Sequence, residues 1–114
     1  MTKLVSEIRP SHAPIYAAAL YPDLCKIFQQ CGYALSVHGS LARDFDLIAV
    51  PWAESVSQPA DVLSIIESTF SAVVVGEKAI KNHGRIAYTV AIGFGCCGLD
   101  LSFLPTNDRE ASHD

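Results

Sequence analysis

The stretch Val37-His38-Gly39-Ser40-Leu41-Ala42-Arg43-Asp44-Phe45-Asp46-Leu47 sets a glycine-serine turn and two aspartates at the head of an apolar run that continues through Ile48, Ala49 and Val50. In a strand, side chains alternate, so Asp44 and Asp46 share one face, roughly 6–7 Å apart. Like charges at that spacing repel unless a cation lies between them. Mg²⁺ suits such a place, because it is a hard cation usually held by one or two carboxylates plus substrate phosphates. Gly39 permits a sharp turn and a close approach of backbone to a ligand. Backbone N–H groups after such a turn, with the Ser40 hydroxyl, can hold phosphate oxygens.

Outward from this stretch, residues 33–37 read as a first strand and 44–50 as a second. The second strand is apolar on both faces, which predicts an interior place in the sheet. Upstream, Ser11 is a candidate N-cap, and Pro14 fits a first helical turn. A helical pattern follows to Gly32, with a break expected near Leu20-Tyr21 because of Pro22. Downstream, residues 59–71 read as a helix opened by Pro59, with Val62, Ile65, Ile66, Thr69 and Phe70 as its buried stripe. Trp52 follows Pro51 and is expected to pack under this helix, with stacking on a base as the functional alternative.

Residues 72–75 fit a short strand, and 76–85 a polar loop carrying Lys78, Lys81, His83 and Arg85. A third long strand is expected over 86–94, a hairpin connection over 95–98 and a partner strand over 99–104. The fold class is therefore α/β of the α+β kind, a small mixed sheet flanked by helices on one side. Residues 1–10 read as an N-terminal arm, 11–105 as one domain and 106–114 as a flexible tail.

Asp100 stands between Leu99 and Leu101 in an otherwise apolar strand. Ionised aspartates enter such strands chiefly when paired or metal-bound. If its strand lies beside that of Asp46, the three carboxylates Asp44, Asp46 and Asp100 converge on a metal. Among the cations before the third strand, Arg85 is the best single phosphate donor, because its planar fork matches phosphate geometry. A solvated polar loop is the plain alternative. His38 could face the same site or be an ordinary surface residue.

Composition narrows the class. The chain has 114 residues and a formal net charge of −4, from 8 basic and 12 acidic residues. That balance disfavours broad nucleic-acid binding, which needs a basic face. It leaves room for a small basic pocket. No apolar run is long enough to span a bilayer, and the N-terminus lacks the apolar core of a signal peptide, so a cytoplasmic protein is expected. Cys25, Cys31, Cys96 and Cys97 form no C-x-x-C pair and read as free thiols.

Gly39-Ser40, Asp44-Phe45-Asp46-Leu47 and Leu99-Asp100-Leu101 together resemble the nucleotidyltransferase superfamily, which includes DNA polymerase beta and the small minimal nucleotidyltransferases. The resemblance covers residues 33–104. It implies that Gly39 and Ser40 contact phosphate, that Asp44, Asp46 and Asp100 bind Mg²⁺ or Mn²⁺, and that Asp100 activates the acceptor hydroxyl. Members usually place about ten residues between the Gly-Ser pair and the first carboxylate. Here only Leu41-Ala42-Arg43 intervene. The phosphate pocket must be smaller, or Arg43 must stand in for the missing loop. At this length the chain is expected to lack the second domain that holds the acceptor in larger members.

Two functions fit this pattern. One is a metal-dependent transferase that moves a nucleoside monophosphate from a nucleoside triphosphate to an acceptor the sequence leaves unidentified. The other is a catalytically silent nucleotide- or metal-binding module of the same fold, acting within a complex. An unrelated α/β domain with incidental aspartates is the third alternative. An open edge in so small a sheet also makes a homodimer, or pairing with a partner protein, plausible.

Overall fold

Ala13–Gln30 forms one helix, α1, which continues without interruption past Pro22. The computed structural model describes residues 13–39, 41, 45–92 and 97–106. The expected arm, the Ser11 cap, Phe94, Gly95, Cys96 and residues 107–114 lie outside the described residues. The break predicted at Pro22 is absent because tertiary packing outweighs local propensity. Leu24 and Phe28 are fully buried and hold the following turns onto the sheet. Pro22 itself is exposed, where water can satisfy the carbonyl that its missing N–H leaves unbonded. Pro22→Ala should therefore stabilise the fold by about 1–3 kcal/mol, read as a higher urea midpoint. An unchanged midpoint would mean that the helix already accommodates the ring without strain.

After α1 the chain forms β1 (Tyr33–His38), β2 (Phe45–Pro51), α2 (Pro59–Phe70), β3 (Val73–Ile80), a short 3₁₀ turn (Asn82–Gly84), β4 (Ile86–Ile92) and β5 (Cys97–Phe103). The five strands make one sheet in the order β1-β2-β5-β4-β3. β2 and β5 run parallel, and the other neighbours are antiparallel. This is the mixed sheet expected, with β2 in its interior. β3 is longer than expected and takes in Lys78, a residue the sequence places in a loop. Its register with β4 shifts between Val75 and Ala79, so a bulge absorbs the Gly76-Glu77-Lys78 run before pairing resumes at Ala79 opposite Ala87.

Alternation along the strands separates two faces. Tyr33 and Leu35 of β1, Phe45, Leu47 and Ala49 of β2, and Leu99, Leu101 and Phe103 of β5 are all buried on one side. They join Leu24 and Phe28 of α1 and Val62, Leu63 and Ile66 of α2 in a single core. Phe103 anchors it, with ring centroids 5.4 Å from Tyr33, 5.7 Å from Tyr88 and 5.8 Å from Phe28. The stripe of α2 is rotated from expectation: Leu63 is buried, while Ile65 and Thr69 are exposed. Tyr21 ties α1 to β1 through a 2.6 Å hydrogen bond from its hydroxyl to the Leu35 carbonyl. Burial, and then the neighbouring Cys25 thiol, raise the pKa of that hydroxyl.

Both helices pack on this one face. Among the described residues, no helix covers the other, and none is long and apolar enough to cross a membrane.

Candidate active site on the open sheet face

The position of Asp46 is dictated by its neighbours. Phe45 and Leu47 are fully buried on the helix side, and Phe45 meets Tyr21 edge-on at 6.2 Å. Alternation then turns Asp46 to the open face, where it is half-buried. The same logic holds on β5: Leu99 and Leu101 are buried, so Asp100 between them emerges on the open face and is exposed.

The parallel register makes Asp46 and Asp100 direct partners across β2 and β5. Neighbouring strands lie about 4.8 Å apart, so the two carboxylates stand side by side. The row extends on both sides, because His38 of β1 is the register partner of Asp46 and Thr89 of β4 that of Asp100. His38, Asp46, Asp100 and Thr89 thus form a polar line across four strands.

Gly39 closes β1 with φ +81°, a left-handed conformation suited to glycine. It also lies directly against the Asp46 carboxylate. A Cβ at position 39 would fall on Oδ2 of Asp46, closer than real Cβ contacts allow. The glycine therefore does two things: it makes the turn and it leaves room for the carboxylate.

Arg85 reaches the same face. Its Nη1 donates a 2.9 Å hydrogen bond to Oγ of Ser102. Ser102 is buried and lies two residues beyond Asp100, on the same side of β5. Arg85 is thus held one step along the sheet from the aspartate pair. Lys78, Lys81 and His83 are exposed around the β3–β4 connection, which is closed by a 2.7 Å bond from the Lys81 N–H to the Arg85 carbonyl.

The structure therefore brings together Asp46, Asp100, Gly39 and Arg85. Ser40, Arg43 and Asp44 lie outside the described residues. Among the described residues, no group of three His, Cys, Asp or Glu side chains is placed to hold a metal. Sequence reasoning missed Ser102 and Thr89. Thr89 alternates with the apolar Tyr88 and Val90, which could have put it on the open face, but nothing local marks the hydrogen bond that Arg85 donates to Ser102. Trp52 is not packed under α2, being 61% exposed.

No protein-family model matches the sequence, and no curated protein matches it. Solved structures do. The polymerase core of TRAMP, an RNA surveillance complex, superposes with a TM-score of 0.58 at 18% identity, over 99% of this chain and 41% of that one. Cid1, studied for its RNA terminal uridylyl transferase activity, gives a TM-score of 0.53 at 21% identity, over 98% of this chain and 37% of its own. At these identities the likeness establishes the architecture: the chain has the nucleotidyltransferase fold, and it spans about two fifths of the length of either structure.

Proposed function

We propose that this chain is a metal-dependent nucleotidyltransferase, which moves a nucleoside monophosphate from a nucleoside triphosphate to a hydroxyl on an acceptor. The observation that carries this reading is the parallel register that sets Asp46 beside Asp100 on the open sheet face. Gly39, having no side chain, leaves room for the Asp46 carboxylate beside the turn. Oxygen donors side by side fit a hard cation, Mg²⁺ or Mn²⁺, with Asp44 as the third carboxylate. When bound, the metal lowers the pKa of the attacking hydroxyl and neutralises charge on the phosphates.

Asp100, the more exposed of the pair, takes the proton released as the acceptor oxygen bonds to the α-phosphorus. The bond from that phosphorus to its bridging oxygen breaks, and pyrophosphate leaves. Gly39 and Ser40 hold the phosphates through backbone N–H and hydroxyl groups. Arg43 and Arg85 balance their charge, with Arg85 oriented by Ser102. Arg85→Lys loses the fork and should raise the KM for the triphosphate about tenfold with little change in kcat. Equal KM values in steady-state kinetics would remove Arg85 from the phosphate site.

The direct test incubates the protein with each α-labelled nucleoside triphosphate and Mg²⁺ or Mn²⁺. RNA 3′ ends, small hydroxylated molecules and the protein itself serve as acceptors. Label transfer that chelation abolishes is the expected result. Nucleotide binding with no transfer in any combination would favour the second reading, a silent binding module within a complex. The short Leu41-Ala42-Arg43 spacing between Gly39-Ser40 and Asp44 favours that module.

A further inference from the structure

At the other end of β2, about 20 Å along the strand from Asp46, a cavity of about 340 Å³ is lined by Pro51, Trp52, Glu54, Val56, Pro105 and Thr106, among others. Its volume lies in the range of small-molecule and side-chain pockets. Trp52 is 61% exposed, yet the loop presenting it is firmly held. The Trp52 and Ala53 N–H groups both donate to the Gly32 carbonyl, at 3.0 and 3.3 Å, and the Ser57 N–H donates to the Cys31 carbonyl at 2.9 Å. The Tyr33 hydroxyl donates to the Ser57 carbonyl at 2.8 Å. Gly32 itself packs so closely on Val56 and Ser55 that no Cβ fits there. An indole on such a scaffold is preorganised for a ligand, not left out by a loose loop.

The lining also has a sign. Glu54 contributes a carboxylate, Trp52 an aromatic face, and among the described residues none that lines the cavity is cationic. An indole face attracts cations through its quadrupole, and a nearby carboxylate strengthens that attraction. We propose that this cavity is a second binding site, separate from the aspartate row, and that it takes a cationic guanidinium or ammonium group. The source is either an arginine or lysine side chain of a partner protein or a free polyamine; the chemistry is the same.

Trp52 is the chain's one tryptophan, so its fluorescence reports this cavity alone. The intact chain is titrated at constant ionic strength with N-acetyl-arginine amide, spermidine and the uncharged N-acetyl-citrulline amide. A saturable change with at least one of the cations and not with the citrulline compound is expected. Glu54→Gln should weaken that binding about fivefold or more, with the unfolding midpoint unchanged because Glu54 is exposed. Tighter binding of spermidine identifies a free polyamine, and tighter binding of the arginine compound identifies a protein side chain. No saturable change with either cation, an equal response to citrulline, or an unaffected Glu54→Gln variant would overturn the proposal. None of these readouts depends on metal or nucleotide, so failure here is distinguishable from failure of the transferase reading.

Discussion

Asp100→Asn should lower nucleotidyl transfer about 1,000-fold, equivalent to about 4 kcal/mol of transition-state stabilisation, while leaving the fold intact. The two halves of this expectation come from different parts of the structure. Leu99 and Leu101 fix β5 in the core, and they are untouched by the change. Asp100 is exposed on the opposite face, so its amide costs no burial. Removing one of two adjacent like charges should leave unfolding free energy the same or raise it slightly. Chemical denaturation and label-transfer rates, measured on the same preparation, check both halves. A variant that keeps full transfer would take Asp100 out of the chemistry. One that unfolds would mean that its role is structural.

Gly39→Ala should have the second largest effect, and by a different route. The added Cβ must occupy a left-handed backbone conformation, at a cost of about 1–2 kcal/mol. It must also displace the Asp46 carboxylate, against which Gly39 lies. Misplacing a ligating carboxylate by about an ångström can lower activity about 100-fold. The expected result is a modest fall in stability together with a loss of Mn²⁺ affinity far larger than that fall explains. Stability lost with Mn²⁺ affinity unchanged would reduce Gly39 to an ordinary turn glycine.

The aspartate strands were legible because their signal is local. A charged residue flanked on both sides by large apolar ones, as at Phe45-Asp46-Leu47 and Leu99-Asp100-Leu101, can satisfy both neighbours in one way only, by pointing away from the core. What the sequence does not carry is the register that sets Asp46 opposite Asp100, since that pairing spans 54 positions of chain (100 − 46) and depends on the whole sheet closing. Pro22 misled for the opposite reason. Its local signal is strong, but Leu24 and Phe28 gain more by staying in the helix than the lost hydrogen bond costs. In α2, Leu63 and Ile65 are equally apolar and flank Val62 and Ile66 on opposite sides, so periodicity alone cannot choose which of them joins the core. Along β3, a glycine-bearing polar run reads as a loop, because nothing local reveals that Ala79 will find Ala87 beyond it. The link between Arg85 and Ser102 was invisible in the same way: it joins two strands through side chains that no short pattern connects.

The central claim is that Asp46 and Asp100 together hold a divalent cation to which a nucleoside triphosphate binds. Calorimetric titration of Mn²⁺ into the protein, with and without ATP and beside the Asp46→Asn variant, tests it most directly. The account predicts Mn²⁺ binding that ATP tightens and that Asp46→Asn abolishes. No Mn²⁺ binding under either condition, or equal binding by the variant, would contradict it.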